Sequence, residues 1–398
     1  MTFSPTEHLI PTMPHECGEP GVRIELVPSS ARAVAAARWR HLEQACDGLG
    51  LTNSWAWVAP WLTHYGEQVP HAFAFGVKGN ADIGAAVVTF STIRIKWIGV
   101  PSVHLGTAGE PDAETTYVQR NQLLVNAAQL DDFAAALVAW IPQRPWSRFN
   151  LDGMVPTHAA ALTRAGGARG LRWDVDPQSS PTFAFPLAAA HGHPDVLSAL
   201  GPNTRHSIRR SLRLLGPLIT EWAQTPEQAH DILRDLIGLH QQRWTHCGAP
   251  GAFARARVVQ YHADLIDELL PRGELVAFRV KRGADTVGAL LNFVEDGYAL
   301  SYKSGFAQYP EDNRLKPGLV THALCMEECR QRGFDGYDFL TGDVPYKRQL
   351  ANTERVVSWA CADRGPRMQV ICGIRAVCRQ PRIRALMLHG EAIIQSRR

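Results

Sequence analysis

The feature that most constrains the fold is an ordered run of elements between Glu274 and Leu350. Three apolar segments, Glu274–Lys281, Thr286–Glu295 and Tyr298–Ser304, are separated by the turn-forming steps KRGAD and EDG, which predicts a β-meander. A loop then leads into NRLKPGLVTHALCMEECRQRG, where Pro317 and Gly318 open a helix expected over Lys316–Arg332. The strand Gly336–Leu340 follows and runs directly into Thr341, Gly342, Asp343, Tyr346, Lys347 and Arg348. Strand ends on a rigid sheet are common mounting points for binding and catalytic groups, so YDFLTGDVPYKRQL reads as the lip of a site.

The same rhythm is present upstream. Val22–Val27 reads as a strand and Ser30–Cys46 as a helix; Asn53 or Ser54 caps the aromatic helix WAWVAPWLTHYG, interrupted by Pro60. The KGN step at Lys78–Asn80 separates two apolar runs and predicts a hairpin. Helices are expected over Gln129–Trp140 and His158–Arg169, with strands at Phe149–Leu151, Leu171–Val175 and Thr182–Phe185. Beyond these lie a basic helix at Asn203–Leu215, helices at Pro226–Trp244 and Val258–Leu269, and a strand at Val356–Ala362. Alternating strands and helices argue for an α/β or α+β fold with mixed sheets. The helix–hairpin–helix–strand order in both halves predicts two related domains, 21–180 and 181–365, joined near Gln178–Pro181. Residues 1–20 read as a disordered leader and 366–398 as a basic tail.

With 398 residues, 45% apolar and 20% charged, the chain has material for a large core. A net charge of +3 is too mild to predict nucleic-acid binding, and no basic tract is interleaved with aromatics. The eight cysteines form no CxxC pair and no zinc spacing with histidines, so no metal is expected. They read as reduced thiols of a cytoplasmic protein, with Cys325 and Cys329 on one buried helix face. The N-terminus lacks the pattern of a signal peptide, and no apolar run is long enough to span a bilayer.

The Pro317–Gly318 helix start offers unpaired backbone N–H groups and a positive dipole end, with Arg314 and Lys316 adding charge; this predicts an anion site. Meander, loop, glycine-bearing helix and strand, in that order, resemble the core of the acetyl-CoA-dependent GNAT fold. Over about residues 20–362 the chain resembles the CelD-type acetyltransferases associated with cellulose and exopolysaccharide synthesis, a GNAT branch related to the FemAB-type aminoacyltransferases. The segments that carry the resemblance are NSWAWVAPWLTHYG, KWIG, FNLDG, TRHSIRRSLRLL, LHQQRW, LKPGLVTHALCMEECRQRG and YDFLTGDVPYKRQL. The resemblance implies tandem GNAT-like domains, with acetyl-CoA or another acyl-CoA held in the second by Arg314, Lys316, Gly318 and Leu319. The pyrophosphate signature is reduced to RLKPGL, with a single glycine.

Acyl transfer needs a base for the acceptor, donors for the tetrahedral oxyanion and an acid for the leaving thiolate. Asp343 is the candidate base, Tyr346 the candidate acid or oxyanion donor, and Lys347 the candidate counter-cation. Against this stands an i, i+4 salt bridge between Asp343 and Lys347 that merely closes a loop. Arg205 and Arg209 share one face of the basic helix, an electropositive wall for CoA phosphates or an anionic glycan, or simply a solvated face. His240 and Arg243 of LHQQRW, Tyr302 of the meander and Asp338 of the following strand complete the candidate substrate-binding set. Glu295 and Asp296 read as a hairpin turn, and Trp55, Trp57 and Trp61 as core. The expected activity is acylation of an amine or hydroxyl on a small-molecule or glycan acceptor, by direct attack in a ternary complex. A transferase using aminoacyl-tRNA and a non-catalytic GNAT-derived binding module are the alternatives. Only the first of these would bring in a nucleic acid.

Overall fold

The computed structural model describes residues 21–365, apart from 48, 96, 117, 142–144 and 176–180, together with 368. The expected leader, the linker near Gln178, the basic tail, Lys96 of KWIG, and Cys17, Cys372 and Cys378 lie outside the described residues.

The strands in chain order are β1 Val22–Pro28, β2 His71–Lys78, β3 Ala81–Ile95, β4 Ile98–Leu105, β5 Leu124–Val125, β6 Arg148–Met154, β7 Trp173–Val175, β8 Pro181–Pro186, β9 Ile219–Trp222, β10 Leu275–Arg282, β11 Asp285–Glu295, β12 Tyr298–Phe306, β13 Gly336–Thr341, β14 Thr353–Val356 and β15 Ser358–Asp363. They build two mixed sheets. The first runs β1-β2-β3-β4-β6-β15-β7, with β5 paired to β3; the second runs β14-β8-β13-β12-β11-β10-β9. Among the described strands each has one parallel pair, β4 with β6 and β12 with β13. The strand expected as one piece at Val356–Ala362 is two: β14 finishes the second sheet, and β15 crosses back to pair with β6 and β7 of the first.

Local chemistry explains most of these elements. Ser54 caps the Trp55–Tyr65 helix by accepting from the Trp57 N–H. That helix runs through Pro60 without a break, contrary to the expected interruption. In the β11–β12 turn, Asp296 and Gly297 both take positive φ, 50° and 74°, as a two-residue hairpin requires. Glu295 is therefore not in the turn. It is the last residue of β11, it is buried, and it accepts from Arg120 Nε at 2.7 Å and from the Leu51 N–H at 3.1 Å. Arg120 and Leu51 belong to the first half of the chain, so this ion pair ties the two halves together.

A shared hydrophobic cluster joins them as well. Trp57 meets Phe293 at 5.1 Å and Tyr261 at 6.3 Å, Tyr65 meets Tyr261 at 5.8 Å, and Trp55, Trp57 and Trp61 are all core. His64 Nε2 lies 2.7 Å from Asp264 at the rim of this contact. Cys325 and Cys329 are buried on the Pro317–Gln331 helix.

One irregularity decides which way the end of β12 faces. Lys303 pairs with Leu291 and Ser301 with Asn292, so Tyr302 is the extra residue of a β-bulge. Tyr298, Leu300 and Tyr302 pack in the same cluster, as strand parity predicts. The bulge resets that parity, so Lys303 joins Tyr302 on the same face and Phe306 turns to the opposite one, against the Pro317–Gln331 helix.

Candidate functional site

Beyond Leu300–Asp338 the parallel pairing of β12 with β13 stops, and the two strands part. The Pro317–Gln331 helix starts beside this opening. Its first intrahelical bond is Val320 N–H to Lys316 C=O, at 3.0 Å, so the Gly318 and Leu319 N–H groups have no acceptor within the helix. A groove of about 820 Å³ lies here, and its walls include Lys316, Gly318, Leu319, Phe306, His322 and Tyr346. A Cβ on Gly318 would sit 3.3 Å from the Phe306 ring, so any larger residue would intrude.

His322 lies one turn into the helix, is fully buried, and was not singled out from sequence. Its ring stacks on Tyr346 at 5.3 Å with an 11° interplanar angle. The Tyr337 hydroxyl accepts from Asn292 Nδ2 at 3.3 Å and lies 3.0 Å from His322 Nδ1. His322 Nε2 is buried without a partner among the described residues. Burial holds the His322 pKa down to about 3, so the ring stays neutral. Burial pushes the Tyr346 phenol up to about 12, with Arg243 opposing, so it keeps its proton at neutral pH.

Arg243 and Phe306 also wall a second chamber of about 810 Å³, lined by His240, Trp244, Tyr302 and Lys303. The two hollows have Arg243 and Phe306 as common lining residues. His240 Nδ1 is 3.2 Å from Gln241 Oε1, a carbonyl that only accepts, so Nδ1 carries the hydrogen and Nε2 keeps a lone pair. Burial, then Lys303 and Arg243, hold the His240 pKa below its ordinary value, against the Gln241 bond. Burial lowers the Lys303 ammonium to about 8, and its Nζ lies 4.6 Å from the Tyr302 ring centre. The Tyr302 hydroxyl donates to the Thr116 carbonyl of the first half, which fixes the chamber wall.

The polar cluster at the end of β13 divides three ways. Tyr346 enters the groove. Asp343 faces solvent, and its ion pair is a bidentate one with Arg348, at 2.6 and 2.8 Å, rather than the expected one with Lys347. That pairing lowers its pKa. Lys347 turns inward, where its ammonium donates to the Leu340 and Thr341 carbonyls. Leu340 there has a φ of 57°, a strained value for leucine, and Lys347 braces that corner. Burial lowers the Lys347 pKa from 10.5 to about 8. The unfolded chain therefore holds more protons between those values, and the wild type gains stability as pH rises through that window. Lys347→Met is expected to cost about 1–3 kcal/mol by stranding two carbonyls. Urea denaturation should show the gap from wild type widening between pH 8 and pH 10.

The other candidates scatter. Arg314 is paired to Asp312 at 2.7–2.8 Å and is not among the groove's lining residues. Arg205 and Arg209 reach back to Ser198, at 3.0 and 3.4 Å. Asp338 is buried on the face of β13 that meets Arg120, accepts from the Leu340 N–H at 2.7 Å, and has its pKa raised by burial. Lys316, Gly318, Leu319, Tyr346, His240, Arg243 and Tyr302 are the candidates that line the groove and its chamber.

Among known proteins, residues 202–348 match the family model described as an acetyltransferase (GNAT) domain. No curated protein matches the chain. The crystal structure of FemX superposes with a TM-score of 0.53 at 10% identity, covering 85% of this chain and 96% of that one. The C-terminal domain of an Agrobacterium fabrum protein assigned as a lysylphosphatidylglycerol synthetase gives 0.52 at 13% identity, covering 87% and 97%. A tandem GNAT protein from the clavulanic acid biosynthesis pathway gives 0.43 at 13% identity, covering 87% and 99%. The family match spans β9 to β13, five of the seven strands of the second sheet, and the first two superpositions establish a shared fold over most of the chain. Among the described residues no helix is long and apolar enough to cross a membrane.

Proposed function

We propose that the chain is an acyl-CoA-dependent acyltransferase, with 21–180 and 181–365 as its two units, β15 of the second completing the sheet of the first, and the donor bound in the second. The observation that carries this reading is the groove beside Gly318, where free helix N–H groups, Lys316 and the unpartnered His322 Nε2 line a slot at a strand opening. These groups fit an acyl-CoA: the helix start and Lys316 suit its phosphates, and Gly318 lets the pantetheine lie against Phe306. When bound, that donor supplies an acyl group activated as a thioester.

The chain's own groups then divide the work. His240 Nε2, neutral at pH 7, takes the proton from the acceptor nucleophile. His322, in the tautomer that carries its hydrogen on Nε2, stabilises the charge that develops on the carbonyl oxygen. Tyr346 donates its phenolic proton to the leaving sulfur. Lys347 and Asp343, singled out for chemistry by sequence, hold the corner that positions Tyr346.

The second chamber, with the Trp244 and Tyr302 rings beside Arg243 and Lys303, suits a sugar-like acceptor that carries negative charge. An amine or hydroxyl of a sugar or cell-envelope precursor, including an exopolysaccharide one, is the acceptor class, and the setting is cytoplasmic. His240→Asn tests the base assignment. Acyl transfer from acetyl-CoA to an amino-sugar panel, followed by thiol release, should fall by about 10²-fold. The acid limb of kcat/KM should disappear with it. An unchanged limb would remove His240 from the reaction, and turnover only with charged tRNA would replace the donor.

A further inference from the structure

Away from the groove, the register of the first sheet brings together a second set of reactive groups. Thr89 of β3 stands opposite His104 of β4, and His104 stands opposite Asn150 of β6. Ser91 is two residues beyond Thr89, and Asp152 two beyond Asn150. The two-residue alternation of a strand therefore returns Ser91, His104 and Asp152 to one face of three adjacent strands. Ser91 Oγ lies 3.0 Å from His104 Nε2, and His104 Nδ1 lies 2.6 Å from Asp152 Oδ2. A carboxylate only accepts, so Nδ1 carries the ring hydrogen and Nε2 offers its lone pair to the Ser91 hydroxyl. That is the arrangement of an activated serine, with a base beside it and a carboxylate fixing the base's tautomer.

Burial distinguishes this array from a structural hydrogen-bond chain. The His104 ring is buried, whereas Ser91 is only half-buried, and all three residues line a cavity of about 780 Å³. A hydroxyl that merely satisfied a buried ring would be expected to be buried with it. The loop after β4 passes directly over the serine: Gly109 has a φ of +94°, and a Cβ there would lie 3.2 Å from Ser91 Cβ. Thr92, Thr115 and Gln119 give the cavity wall hydroxyl and amide groups suited to a polyhydroxylated ligand.

We infer that Ser91, His104 and Asp152 form a nucleophilic triad that makes this cavity a second, esterolytic site for carboxylic esters of polyhydroxylated alcohols. Ser91 Oγ bonds to the ester carbonyl carbon as its proton passes to His104 Nε2. The bond from that carbon to the alcohol oxygen breaks, the proton moves to the departing oxygen, and an acyl-serine remains. A water that gives a proton to the same nitrogen cleaves the acyl-serine, releasing the carboxylic acid and restoring the serine. This second site is independent of acyl-CoA use in the groove.

The full chain treated with a fluorophosphonate tests it, since Ser91 Oγ would bond to phosphorus and expel fluoride. The expected result is one adduct per chain, mapped to Ser91 by peptide mass spectrometry, with hydrolysis of 4-nitrophenyl acetate blocked by the same treatment. Ser91→Ala, which removes one hydroxyl, should abolish both labelling and hydrolysis while acyl transfer from acetyl-CoA persists. Asp152→Asn should slow hydrolysis by about 10³–10⁴-fold, the scale seen when a triad loses the group that sets its tautomer. Folded wild type left unlabelled at Ser91, or Ser91→Ala hydrolysing at the wild-type rate, would overturn the inference.

Discussion

Tyr346→Phe is expected to lower acyl transfer by about 10²–10⁴-fold while leaving donor affinity intact. The phenol is pushed up to about 12 by burial, so it is protonated across the working pH range and can only act by giving its proton. The substitution removes that oxygen and keeps the ring, which stacks on His322 at 5.3 Å and meets Phe339 edge-on at 6.1 Å. Packing is therefore preserved, and the loss should be in kcat rather than in the binding of acyl-CoA. Steady-state thiol release combined with donor titration separates the two. Full activity in the variant would make Tyr346 a packing residue and move the proton donor elsewhere.

The largest expected loss of stability comes from Arg120→Met. Glu295 is 2% exposed at its side chain and Arg120 17%, and their ion pair spans the two halves of the chain. Removing the cation leaves a buried carboxylate with only the Leu51 N–H, and such losses cost about 3–5 kcal/mol. Burial already raises the Glu295 pKa, against the opposing pull of Arg120. Without Arg120 it rises further, so between the unfolded and folded values the folded variant binds more protons than the unfolded chain. Stability of the variant should therefore recover as pH falls from 7 toward 5. Chemical denaturation at both pH values checks this, and an equal deficit at each would show that the ion pair is not its source.

What sequence disclosed and what it concealed differ by physical type. The meander, the Pro317–Gly318 helix start and the strand into Thr341 were legible because turns, caps and alternation are local signals. The mixed α/β fold followed from their order. The bulge at Tyr302 was not legible, since an extra residue leaves no trace in alternation until the partner strand is known. The bulge exchanges the faces that Lys303 and Phe306 would otherwise take. His322 gave no local signal because its contacts are with Tyr337 and Tyr346, fifteen and twenty-four residues away. Asp343 and Lys347 looked like a pair at helical spacing. Only the fold could show that Asp343 goes out to Arg348 while Lys347 turns in to the Leu340 and Thr341 carbonyls. Glu295 likewise looked like a turn residue because its partner, Arg120, lies 175 positions away.

If the groove beside Gly318 holds an acyl-CoA, calorimetric titration of acetyl-CoA will distinguish the wild type from Gly318→Leu. The groove is about 820 Å³, and a Cβ at Gly318 already lies 3.3 Å from Phe306. One saturable site per chain is expected in the wild type, with affinity about tenfold weaker in the variant, roughly 1.4 kcal/mol. No saturable heat with the wild type, or equal affinity in Gly318→Leu, would contradict it.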